Sequence, residues 1–189
     1  ANSAGIAIRR MGEADLANCQ DCFGVRASEK ERIVVVADGV GSGLCSGAAA
    51  EIVSRNLAKN PDLILPDGIT EVVKEEQARE LVGQMGLGGL IGLEEMLDKY
   101  RKTGSWGSTT MAEVVIEENQ QLRFRKIGDC GIVVVRPGKQ GKAELLFEKF
   151  SEAKGAPAQL ACTTEGSWEL RGGEMENGEI TVKKNDVVL

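Results

Sequence analysis

Val34-Val35-Val36-Ala37-Asp38-Gly39-Val40-Gly41-Ser42-Gly43 sets an aspartate and three glycines directly after a run of β-branched residues. With Arg32 and Ile33 in front of it, that run predicts a strand over 32–37 buried on both faces. The glycines predict a sharp turn that leaves a backbone carbonyl accessible beside the aspartate. An Asp-Gly at the end of a strand can offer a carboxylate and a main-chain oxygen together, which is the donor set that Mg²⁺ or Mn²⁺ takes. A dinucleotide-binding turn competes for the same glycines, but Leu44 stands where its third glycine is required, and Asp38 would face the pyrophosphate. A Walker loop is excluded, since no Gly-Lys-Ser/Thr occurs.

Outward from this stretch, Phe23 to Ala27 predicts a neighbouring strand joined through Ser28-Glu29-Lys30-Glu31 by a hairpin. Ile6-Ala7-Ile8 reads as a further strand. Ala48 to Asn60, with Ile52, Val53 and Leu57 at helical spacing, predicts a helix stopped by Pro61. Ile69 to Lys102 predicts two helices broken near Gly86 to Gly89. From Ser108 the pattern turns to short strands over 111–116, 122–127, 132–136 and 145–147. Residues 151–178 read as loop, and 179–183 and 186–189 as two last strands around a Lys184-Asn185 turn. Helices gathered between two groups of strands predict an α+β domain built in layers, not alternating βαβ units.

The chain has 189 residues, a length for one domain, and 42% of them are apolar. Twenty-three Lys and Arg against 29 Asp and Glu leave a net charge of −6, which repels nucleic acid and anionic lipid. No stretch reaches the roughly 20 apolar residues that a membrane-spanning helix needs. The chain contains no histidine. That removes Ser-His-Asp triads, Cys-His dyads and His-ligated zinc, and leaves carboxylates, hydroxyls, thiols, amines or an oxygen-held metal to do any chemistry. Five cysteines, scattered and odd in number, do not form a disulfide framework and predict a reducing, intracellular compartment, a mitochondrion or other organelle included. Cys19 and Cys22 form a Cys-x-x-Cys without a second pair at zinc spacing, so small buried residues compete with a redox or metal role.

Asn18-Cys19-Gln20-Asp21, Asp38-Gly39-Val40-Gly41, Gly107-Ser108-Thr109-Thr110 and Ile127-Gly128-Asp129-Cys130-Gly131 occur in this order. Together the four resemble the motifs of the metal-dependent protein serine/threonine phosphatases of the type 2C family. The absence of a long insertion after Gly131, and the stretch Pro157-Ala158-Gln159-Leu160, resemble its compact, mitochondrial-type branch. The resemblance implies an α-β-β-α sandwich and hydrolysis of phosphoserine or phosphothreonine by a metal-activated water. It further implies a phosphoprotein substrate or protein partner and two Mg²⁺ or Mn²⁺ ions in a complete site. Carried over residue by residue, Asp38 is the catalytic position and bridges the two ions, and the Gly39 carbonyl ligates one of them. Asp21 and Gln20 stand behind the metals, and Asp129 matches a position associated with a weaker third ion. Read from the residues alone, Asp129 is equally a turn aspartate capping its own backbone.

Departures from the family pattern carry weight too. Gln20 stands where many members have glutamate, Leu16 where many have a phosphate-gripping arginine with only Arg9 and Arg10 nearby, and Val40 where animal members have a histidine that bacterial members lack. Asp186-Val187-Val188-Leu189 resembles the strand before the family's second metal motif. This places the remaining aspartates beyond Leu189 and implies a single but incomplete domain over 1–189. A catalytically inactive phosphatase-like domain, acting as a binding or structural subunit, is the alternative that Gln20 and Leu16 favour and that Asp21, Asp38 and Asp129 together oppose.

Overall fold

The computed structural model describes residues 6–10, 20–41, 43–84, 92–139, 142–150 and 157–189, with backbone alone at 6–10. Leu16, Asn18, Cys19, Ser42 and the Gly86 to Gly89 break lie outside the described residues. Three strands come first: β1 (Ile6–Arg10), β2 (Asp21–Ala27) and β3 (Glu31–Gly39). Helices α1 (Ser46–Lys59), α2 (Glu75–Gln84) and α3 (Leu93–Thr103) follow. The chain then runs through β4 (Ser105–Glu117), β5 (Gln121–Ile127), β6 (Ile132–Pro137), β7 (Ala143–Lys149), β8 (Gln159–Thr163), β9 (Trp168–Arg171), β10 (Glu176–Thr181) and β11 (Val187–Val188).

Strands pair antiparallel throughout, in an eight-stranded sheet of order β1-β2-β3-β4-β5-β10 with β8 attached to β4 and β9 to β8, and in a three-stranded sheet of order β11-β6-β7. Two apolar cores explain the layering. Ile33, Val35, Ala37, Met111, Val115 and Ile127 bury one face of the large sheet against Ala49, Val53 and Leu57 of α1 and against Val82 and Leu97 of α2 and α3. Ala112, Val114, Leu122 and Phe124 bury the other face against Ile132 and Val134 of the small sheet, with Phe124 and Phe147 tilted at a centroid distance of 5.2 Å. The described residues thus supply a helix layer and two sheets of the layered α+β fold, with the helices on the large sheet. Among them no helix is long and apolar enough to cross a membrane.

Three expectations need correction. Strand β3 alternates instead of burying both faces: Ile33, Val35 and Ala37 are completely buried, while Val34 and Val36 are 41% and 46% exposed. The β-branched run is a half-buried strand, because the small sheet covers β4 and β5 and not this part of β3. Within 151–178, read as loop, Gln159 to Thr163 and Trp168 to Arg171 are strands and β10 begins at Glu176. A five-residue strand paired with β4 and a four-residue strand paired with it in turn leave little periodicity to detect. The second helical segment starts at Glu75, six residues after Ile69, where Gln77 caps by accepting the Lys74 N–H at 2.9 Å.

Candidate functional site

Register builds the site. Asp21 of β2 lies directly opposite Asp38 of β3, and Asp38 directly opposite Thr110 of β4. At Thr110 the far edge of β4 changes partner: Ser105 to Thr109 pair with β8, and Met111 to Ile116 pair with β5. The turn after Ile127 leaves the sheet at that change. Gly128 takes φ +84°, a backbone region that side chains rarely occupy, and a Cβ there would lie 2.4 Å from Thr110 Cγ2 and 2.5 Å from the Ala158 carbonyl oxygen. Thr110 Oγ1 and Cys130 Sγ then meet at 3.3 Å. Asp21, Asp38, Thr110 and the Gly128-Asp129-Cys130 turn therefore form one row across three strands.

Hydrogen bonds hold the Asp-Gly turn in place. Thr109 Oγ1 donates to the Asp38 carbonyl at 2.8 Å, Gly39 N–H to the Gln20 carbonyl at 3.1 Å, and Val40 N–H to the Ser108 carbonyl at 2.9 Å. Ser46, at the start of α1, donates to the Val40 carbonyl at 2.6 Å and accepts the Ser108 N–H at 3.4 Å. Ser108 Oγ in turn donates to Gln159 Oε1. Gly39 is wedged in this frame: a Cβ would stand 2.8 Å from both Gln20 Cβ and the Ser46 carbonyl oxygen.

The electrostatics are those of crowded acids. Although Asp38 stays open to solvent on one side, burial raises its carboxyl from 3.8 to about 6, helped by the hydrogen bond with Asp21 and by the charges of Asp21 and Asp129. A hydrogen bond between two carboxyl groups requires a proton between them. Burial also pushes the Cys130 thiol up; Asp129 and Asp38 add to the rise, and Thr110 and Lys126 oppose it. Among the described residues no three Asp, Glu or Cys side chains group closely enough to hold a metal by themselves.

The site residues read from sequence thus lie together: Asp38 and Gly39 at the end of β3, Asp21 across from them, Gln20 beneath Gly39, and Asp129 close enough to act on Asp38. Sequence reasoning gave no role to Ser46, Thr110, Cys130 or Lys126. Thr110 and Cys130 sat inside quoted motifs, but only the β4 pairing shows that they meet; Ser46 carried no signal.

No curated protein sequence matches the chain significantly. Among solved structures, RsbX in complex with magnesium aligns over 98% of this chain and 76% of its own length, with a TM-score of 0.52 and 13% identity. The photosystem II phosphatase PBCP aligns over 98% of this chain and 64% of its own, with a TM-score of 0.53 and 16% identity. At those identities the likeness is one of fold. A family model described as protein phosphatase 2C matches residues 11–179, and the stretch it covers contains the whole row from Asp21 to Cys130. The chain belongs to the protein phosphatase 2C family.

Proposed function

We propose that residues 1–189 form one phosphatase 2C-type domain that serves the hydrolysis of phosphoserine and phosphothreonine in proteins by a metal-activated water. The observation that carries this reading is the Asp21–Asp38 pair, in register on adjacent strands and sharing a hydrogen bond, with the Asp129 charge close by. Carboxylates crowded this way hold a proton because their charges repel. A hard divalent cation satisfies the same oxygens and displaces that proton. Mg²⁺ or Mn²⁺ would be held by Asp38 and the Gly39 carbonyl, with Asp129 beside a further ion and Asp21 and Gln20 behind. When bound, the ions supply Lewis-acid activation of water and offset charge on the phosphoryl oxygens, work that needs no histidine.

The chain's own residues set the geometry. Thr109 and Ser46 fix the backbone on either side of Gly39, so that its carbonyl and the Asp38 carboxylate are presented from a rigid strand end. Asp21, directly across from Asp38 in register, holds its carboxyl through the hydrogen bond between them. The phosphoprotein partner, the reducing compartment and the compact mitochondrial-type branch belong to this reading. The branch rests on Pro157-Ala158-Gln159-Leu160, whose Gln159 accepts from Ser108.

One observation favours the inactive alternative: three described acidic or thiol side chains do not close around a point. With Asp38, one carbonyl and Asp129 as donors, the 189 residues alone are expected to bind Mn²⁺ weakly and to turn over no substrate. Titration calorimetry of wild type beside Asp38→Asn, run with an aryl phosphate assay, tests this. Loss of the weak Mn²⁺ heat in Asp38→Asn supports the site, and identical isotherms overturn it. Wherever a longer chain releases phosphate from a phosphothreonine peptide, activity should require Mg²⁺ or Mn²⁺ and vanish in Asp38→Asn. Activity that persists in that variant with chelator present would sink the mechanism.

A further inference from the structure

Lys126 is the one lysine of the described residues whose side chain is wholly buried, with no exposed surface at all. It stands opposite Ala112 on β4, and Ala112 belongs to the apolar layer between the two sheets. Packing alone would favour an apolar residue there, because an ammonium withdrawn from water costs several kcal/mol unless it is well partnered. One of its partners lies in the turn of the candidate centre and another on the neighbouring strand. Lys126 Nζ donates to the Gly128 carbonyl, two residues on, and Glu176 Oε1 of β10 stands 3.5 Å away. Glu176 is itself held by Lys149 of β7 at 2.7 Å, which draws its carboxyl below the usual range.

We propose that Lys126 is a positioning residue of the centre: its buried ammonium grips the Gly128 carbonyl and so fixes the turn that carries Asp129 toward Asp38. The link closes over Ile127, at the point where β4 changes partner and the chain must leave the sheet. Gly128 at φ +84° is held from both sides, by Thr110 and Ala158 against its α-carbon and by Lys126 at its carbonyl. Held this way, the turn is a built ligand arm, not a mobile loop.

This inference rests on the phosphatase reading for what Asp129 does, and its test separates the two. Lys126→Met keeps the volume and removes the donor, Lys126→Gln keeps a shorter donor, and Glu176→Gln loosens the anchor from a half-exposed position. Amide spectra of the metal-free proteins report the turn directly. In Lys126→Met the resonances of Gly128 to Gly131 should move or broaden while those of α2 and α3 stay in place. Lys126→Gln and Glu176→Gln should give smaller changes at the same residues. In titration, half-saturating Mn²⁺ should rise about 10- to 100-fold in Lys126→Met and less in Lys126→Gln. Unchanged turn resonances, or a lowered melting temperature with unchanged Mn²⁺ affinity, would make Lys126 merely structural and overturn the proposal. Should Lys126→Met not fold, the same readings on Lys126→Gln and Glu176→Gln decide it. A wild type indifferent to Mn²⁺ would end the phosphatase reading, and the turn resonances would still judge the grip of Lys126.

Discussion

Asp21 and Asp38 face each other across β2 and β3 and share a hydrogen bond between their carboxyl groups. Asp38 releases its proton near 3.8 when unfolded and near 6 when folded, so the folded chain binds the extra proton between those values. The contribution to stability is therefore fully present below about 3.8 and is lost as pH rises through about 6. Melting temperatures of the metal-free protein should fall over this interval, and Asp38→Asn should flatten the fall. Adding Mn²⁺ should restore stability more at pH 7 than at pH 5. A melting curve with the same pH slope in wild type and Asp38→Asn would show that the pair holds no shared proton.

Gly128→Ala tests the turn from its other side. A Cβ at φ +84°, placed 2.4 Å from Thr110 Cγ2, forces strain and contact at once. Strain of this kind costs about 1 to 3 kcal/mol. Denaturant unfolding should show a loss of that order. Contact between Thr110 and Cys130 should loosen with it, making the Cys130 thiol easier to alkylate than in wild type.

The motifs of the site were legible because each is local: a strand end, an Asp-Gly turn and a Gly-Asp turn are written in consecutive residues. Their convergence was not, since Asp21, Asp38 and Thr110 line up through pairings that bridge 17 and 72 positions of chain. Period alone also misjudged β3, because Val34 and Val36 look identical to Ile33 and Val35 in sequence and differ only in what the small sheet covers. Strands β8 and β9 escaped for a related reason. Their residues include Cys162, Thr163 and Trp168, which pack against the helix layer or the start of β4, and no alternation marks so short a pair.

Reading the cysteines as small buried side chains leads to a chemical test. Cys22, Cys45 and Cys162 are buried, and burial pushes the Cys45 thiol up to about 12 and raises that of Cys162. Such thiols carry almost no thiolate at neutral pH and react slowly. Among the four described cysteines, alkylation of the folded protein at about pH 7.5, roughly one unit below the pKa of an ordinary thiol, should label the half-buried Cys130 first and leave Cys22, Cys45 and Cys162 until denaturant is added. Rapid labelling of Cys22 in the folded chain would reopen a redox role for the Cys19 and Cys22 pair.

Arg125 and Glu113 form a charge pair on the helix-facing side of the large sheet, where Glu113 is almost completely buried. Arg125 also donates to the carbonyls of Leu63 and Pro61, so that one guanidinium ties β5 to the segment after α1. Arg125→Met leaves a buried carboxylate alone, and losing one partner of such a pair costs about 3 to 5 kcal/mol. Burial already pushes the Glu113 carboxyl up despite Arg125, so protonation is its way out of the unpaired state. The loss in Arg125→Met should therefore shrink as pH falls. A Glu113→Leu, Arg125→Met double variant should recover most of it, because no charge is then left buried without its partner. Urea unfolding of the two variants at pH 5 and pH 8 checks both points; a double variant no more stable than Arg125→Met would mean that the arginine's grip on the 61–63 segment, and not the buried charge, holds this side of the sheet together.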